Sequence, residues 1–210
     1  MTAGTTSARA VAIIGRGTPF DRALAVACAE AGCSVALATV EHSQQQEFAV
    51  ASIANEVWSI GREQFTCVMD AGDVAAVTSF ADEVCDKLGG CQVLVVNAYR
   101  PSTAPLDELS ADEWDEILRS NLTIPFLAMQ AFARLMERQG GGLLVALSPA
   151  STQDDAAALG TRAALETLAA EMERHWAGHD VHSYVIDAAA ALDPESGPAA
   201  ILELCDRSSA

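Results

Sequence analysis

Short runs of β-branched and aliphatic residues punctuate this chain at Ala10–Gly15, Ser34–Thr39, Phe65–Met69, Gln92–Asn97, Leu143–Ser148 and Val181–Ile186. Between them lie longer stretches with apolar positions at helical spacing: Pro19–Ala31, Gln45–Ile60, Asp73–Leu88, Ala111–Arg138 and Asp155–Ala177. Runs that are apolar throughout predict strands covered on both faces, and strand–helix alternation predicts parallel connections. The pattern therefore predicts an α/β architecture built on a doubly wound parallel sheet. No repeat, low-complexity stretch or linker interrupts it, so residues 1–210 read as one domain. Gly140–Gly142 reads as a helix stop before the fifth strand. Ser110 and Glu113 have capping-box spacing, with Leu109 and Trp114 at hydrophobic-staple positions.

Composition narrows the partners. The chain has 29 Asp and Glu against 12 Lys and Arg, a formal net charge of −17. That balance argues against nucleic acid or an anionic membrane, which require basic side chains. Eleven of the basic residues are Arg, and Lys87 is the only lysine. No signal peptide or membrane span is visible, so a cytoplasmic location is expected. Cys28, Cys33, Cys67, Cys85, Cys91 and Cys205 lie in or beside apolar segments with no C-x-x-C pair, and read as reduced, mostly buried small hydrophobes.

Three stretches occur in the order of a known family. Val93-Leu-Val-Val-Asn-Ala-Tyr99 resembles an L-V-N-N-A-G strand end, Ser120-Asn-Leu-Thr-Ile-Pro-Phe-Leu127 resembles an N-x-x-G-x-F segment, and Arg162-Ala-Ala-Leu-Glu-Thr-Leu168 resembles K-A-A-L-x-x-L. From about Ala10 onward the chain thus resembles the classical short-chain dehydrogenase/reductases, which bind NAD or NADP on a Rossmann sheet.

The resemblance implies a cofactor loop T-G-x-x-x-G-x-G, which here is Ile14-Gly-Arg-Gly-Thr-Pro-Phe-Asp21. Only Gly15 stays in register. Pro19 removes an amide donor, and Asp21 brings a like charge to the expected diphosphate. The loop reads instead as a self-capped helix start, with Thr18 as N-cap, Pro19 at the first helical position and Asp21 three residues after the cap; Arg16 is a substitute phosphate anchor. Thr39 and Val40 stand where the family contacts the ribose or a 2′-phosphate. Asp70 matches its acidic residue near adenine and Asn97 its strand-four asparagine, both also ordinary loop and strand-end residues. Gly15, Asp70 and Asn97 are thus vestigial cofactor positions, and tight binding of NAD or NADP is not expected.

The catalytic set implied by the resemblance is a tyrosine acid, a lysine four residues on, a serine and an asparagine. Tyr99 and Tyr184 are followed at that distance by Thr103 and Ala188. Alignment puts Ala158 at the tyrosine position, Arg162 at the lysine position and Asn121 at the relay asparagine, with Ser148 one residue before the usual serine. These are remnants, so no catalytic residue is expected; Asn121 reads as bridging a helix irregularity. The family's substrate lid and final strand are also expected to be missing. His175, His179 and His182 fall close together, but as residues near a helix end rather than a metal site.

Three functions remain: a non-catalytic subunit stabilising or regulating an active homologue, an NAD(P)-dependent oxidoreductase with Arg162, Asn121 and Ser148 rearranged in an altered site, and a small-molecule sensor using the former cofactor cleft. For a heteromeric dehydrogenase, a hydroxyacyl-CoA is one candidate substrate class that no residue here specifies. The helices at 111–138 and 155–177 carry apolar or small residues on more than one face, including Leu122, Phe126, Leu127, Phe132, Leu165 and Leu168. In the resembled family such helices form subunit interfaces, which implies a heterodimer or heterotetramer with an active partner.

Overall fold

Strands form where both faces are covered, and β1 (Ala10–Gly15) and β2 (Ser34–Thr39) are buried at every position. In the computed structural model, which describes residues 9–101, 104–148, 156–188 and 197–207, four more strands follow: β3 (Gln64–Cys67), β4 (Val93–Asn97), β5 (Gly142–Ser148) and β6 (Val181–Asp187). All pair in parallel in the order β3-β2-β1-β4-β5-β6. Among the described residues the sheet has no strand beyond β6; residues 189–196, where the lid was expected to be missing, and 208–210 lie outside them. The order reverses between β1 and β4, where Gly15 and Asn97 are register partners. A crevice opens at such a reversal, beyond the carboxyl ends of the strands.

The helices are α1 (Pro19–Glu30), α2 (Gln44–Ser59), α3 (Val74–Leu88), α4 (Ala111–Leu118), α5 (Ile124–Gln139), α6 (Ala156–Trp176) and α7 (Gly197–Arg207). One face of the sheet packs against α3, α5 and α6 around Phe80, Met129, Phe132 and Leu165. The other packs against α1, α2 and α7 around Phe20, Leu24, Val57 and Ile201. α5 stops at Gly140, whose φ of 92° suits glycine and whose N–H donates to Met136 O. Ser110 Oγ caps α4 by accepting from the Glu113 N–H at 3.2 Å. No helix among the described residues is long and apolar enough to cross a membrane.

Two expectations need correction. The single helix expected over Ala111–Arg138 is interrupted by a π turn at Arg119–Thr123. Pro125 has no N–H to donate to the Asn121 carbonyl, so the turn before it widens and Ile124 N–H donates five residues back, to Arg119 O. The second concerns the outer helix faces. Phe132 has no exposed surface and packs 5.8 Å from the Phe80 ring, so it belongs to the protomer's own core. Leu165 is likewise fully buried, whereas Leu122, Phe126, Leu127 and Leu168 are half-buried.

Phe132→Ala should therefore cost about 3–5 kcal/mol of folding free energy, the range for deleting a buried phenyl ring. Urea unfolding measures it, and a loss below about 1 kcal/mol would contradict the placement.

Candidate functional site

The crevice is built from the β1–α1 loop, the carboxyl ends of β2 and β4, the loop after β3 and the π turn. Thr18 is the N-cap of α1 and Pro19 opens its first turn, as expected. Thr18 Oγ1 accepts from the Asp21 N–H at 3.3 Å, while Asp21 Oδ2 accepts from the Thr18 N–H at 2.7 Å and the Thr18 hydroxyl at 2.9 Å. Asn97 donates its amide hydrogens to Asp21 Oδ1 at 2.8 Å and to Thr18 Oγ1 at 3.2 Å. Asp21 is almost wholly buried, and burial raises its pKa above 3.8 against the opposing hydrogen bonds from Asn97, Thr18 and Gly17. Its carboxylate lies directly on Gly15, where an added Cβ would stand 2.6 Å from Oδ1.

Arg16 crosses the crevice. It donates from one nitrogen to Glu41 Oε1 at 2.6 Å and from the other to Ser120 Oγ at 3.3 Å. Glu41 is held from behind by Gln46, whose Nε2 donates to it at 2.8 Å and whose Oε1 accepts from the Val40 and Glu41 amides. Thr39 turns inward, donating to Met69 O at 2.7 Å and accepting from the Met69 N–H at 2.8 Å. Asp70 pairs with the Arg119 guanidinium and accepts from the Gly72 N–H. Asn121, fully buried in the π turn, accepts from the Arg100 N–H at 2.7 Å and donates to the Arg100 carbonyl at 2.9 Å. Asn121 thus sits within the π turn, but its side chain ties the turn to the loop after β4 rather than bridging the turn's own backbone.

The remaining candidates gather at the ends of β5 and β6. Ser148 is fully buried and donates to Ile186 O at 3.3 Å. Its register partner Asp187 accepts from Arg162 at 2.6 Å, and Arg162 also donates to Glu166 at 2.8 Å. Ala158 is buried one turn before Arg162. Ser148, Asp187 and Arg162 are thus brought together, while Asn121 is committed elsewhere. Residues 149–155, which include the usual serine position, lie outside the described residues. Sequence reasoning missed Glu41, Gln46, Ser120 and Arg119. Arg119 was the one with a signal, a cation beside Ser120-Asn121 in the family-like segment.

The three histidines do not share a helix face: α6 ends at Trp176, and His182 lies on β6, bonded to Glu173 and Asp180. No group able to hold a metal occurs among the described residues.

A parallel sheet in this order, with a crevice at its reversal, has close counterparts among known proteins, and residues 9–192 match the short chain dehydrogenase family. The chain belongs to that family. Among its curated relatives is the "Probable galactose dehydrogenase GalD" of Rhizobium meliloti, 35% identical over 67% of this chain and 53% of that protein. A D-threitol dehydrogenase of Mycolicibacterium smegmatis is 40% identical over 39% of this chain and 30% of its own length. This short chain dehydrogenase sequence thus spans about half, or less, of these relatives' length. A short-chain type dehydrogenase/reductase from Mycobacterium marinum has the same fold, with a TM-score of 0.85 at 24% identity, covering 97% of this chain and 91% of that one.

The linkage for Asp21 has a definite sign. A folded-state pKa raised above the unfolded 3.8 contributes stability that is fully present below pH 3.8 and lost as pH rises through the folded value. The stability of the native chain relative to Asp21→Asn should therefore fall between pH 3.8 and neutrality. Urea denaturation of both proteins across that range measures it; a difference that does not vary with pH contradicts the assignment.

Proposed function

We propose that this chain is a non-catalytic member of the short chain dehydrogenase family, a subunit that stabilises or regulates an active homologue. The observation that carries the reading is the Asp21 carboxylate on Gly15. The space that would receive a pyrophosphate holds a buried acid, and the helix N-terminus behind it is capped by Thr18 and begins with a proline. The residues present do not fit a dinucleotide. Arg16 and Arg119 are the cations of the crevice, and each would have to exchange a carboxylate, Glu41 or Asp70, for phosphate.

The catalytic positions support the same reading. Carbonyl reduction with a phenol near neutrality needs a cationic neighbour to lower a pKa near 10. Ala158 has no proton to give, and Arg162 is occupied by Asp187 and Glu166. The half-buried Leu122, Phe126, Leu127 and Leu168 form the surface on which the active partner would pack.

Kinship favours a second reading, an NAD(P)-dependent oxidoreductase with an altered site, because the curated relatives are named as dehydrogenases. In that reading the Ser148–Asp187–Arg162 group would face the substrate.

Isothermal calorimetry with NADH and NADPH separates the two. The subunit reading expects no saturable binding at micromolar concentration and no turnover, including after Ala158→Tyr with Arg162→Lys. Micromolar binding, or turnover lost in Asn121→Ala, would establish the second reading in its place. Leu168→Asp should dissociate the assembly while the circular dichroism spectrum is kept. A native chain that is monomeric at micromolar concentration would remove the subunit reading.

A further inference from the structure

At the opposite end of the sheet from the crevice, a cavity of about 510 Å³ opens beside the edge strand β3, between the carboxyl ends of α2 and α3. Its walls include Trp58, Arg62, Glu63, Phe65, Lys87 and Leu88. Three features set it apart from ordinary surface. The Trp58 side chain is 70% exposed, the largest apolar side chain so placed among the described residues. Phe65 presents a half-buried ring, backed by Phe80 and with Lys87 Nζ 4.4 Å from its centroid. Arg62 donates through Nε to Ala29 O at 3.1 Å, which fixes the guanidinium at the carboxyl end of α1. Its outer nitrogens have no carboxylate partner among the described residues, although acids outnumber bases by 17 in this chain.

We propose that this cavity is a binding site for a small amphiphilic anion, an aromatic carboxylate whose ring lies between Trp58 and Phe65 and whose charge meets Arg62. The volume is within the usual range for small-molecule pockets, and the lining is mixed: Trp58, Phe65 and Leu88 are its apolar walls, Arg62 and Lys87 its cations, and Gln64 and Glu63 its other polar groups. A planar carboxylate matches the two free arms of a guanidinium held by its third nitrogen. Lys87 contributes a second positive charge, shared with Glu83 at 2.6 Å. The site is separate from the crevice and stands whether or not the chain is catalytic.

The test titrates the full chain, with any subunit that co-purifies, with 2-naphthoate, following tryptophan fluorescence and heat. Saturable binding of one equivalent is expected. Trp58→Phe should lose most of the fluorescence change, and Arg62→Gln should weaken binding at least tenfold while keeping the circular dichroism spectrum of the native chain. Arg134→Gln, at an exposed arginine that also has no carboxylate partner among the described residues, should bind like the native chain. Uncharged 2-naphthol should bind at least tenfold more weakly than 2-naphthoate. Absence of saturable heat up to millimolar ligand, or equal affinity in Arg62→Gln, overturns the proposal. So does self-association through this face, seen as a sedimenting dimer that Trp58→Asp dissolves.

Discussion

Asp21 accepts hydrogen bonds from the Thr18 amide, the Thr18 hydroxyl and the Asn97 side chain, and the carboxyl ends of β1 and β4 are arranged around that carboxylate. Burying an ion costs several kcal/mol even after relaxation, and each hydrogen bond to a charged acceptor returns about 1.5–3 kcal/mol. The hydrogen bonds from Thr18, Asn97 and Gly17 offset that penalty in part, and the pKa of Asp21 is raised because burial outweighs them. The neighbouring segments conform to the buried carboxylate. Thr18 is in extended conformation as N-cap, Pro19 supplies a first turn that needs no donor, and Asn97 ends β4 with its amide aimed at the first turn of α1.

This arrangement changes what Gly15 means. Its backbone is not in the left-handed region, so conformation does not demand glycine there. The demand comes from the Asp21 oxygens, which are buried and too firmly hydrogen-bonded to move aside for a Cβ. A residue that looks like the remnant of a cofactor motif thus has a complete internal reason to be glycine. Asn97 is similar: its side-chain donors are consumed by Thr18 and Asp21. Both residues keep the family's pattern while their polar contacts lie within the protein.

The strands were legible where burial was complete. β1 and β2 run over the residues expected from sequence, because an unbroken apolar run has one interpretation in a sheet covered on both faces. β3 was expected at Phe65–Met69 and lies at Gln64–Cys67; as an edge strand it is only partly buried, so its hydrophobic pattern is diluted. An irregularity at Asn121 was expected, but not a π turn of five residues, since apolar spacing near 3.6 tolerates one inserted residue; Pro125 marks the place. At the site, the capping by Thr18 and Asp21 was legible because its partners are three residues apart. Arg119 with Asp70 and Arg16 with Glu41 were not, since each pair is joined only by the fold.

At two positions the contacts explain arginine rather than lysine. Arg16 reaches Glu41 and Ser120 from separate nitrogens, and Arg162 reaches Asp187 and Glu166 in the same way. A planar fork serves two acceptors at fixed angles, whereas an ammonium on a flexible stem is a point charge. Lys87 lies instead on the exposed face of α3, where its partners are Glu83 four residues before it and the face of Phe65, both undemanding of geometry. In a chain with so few bases, a cation that joins two elements at once is worth more than one that decorates a surface. The crevice and the β5–β6 end are accordingly tied by guanidinium groups, and a lysine at position 162 could not hold both Asp187 and Glu166 in the same geometry.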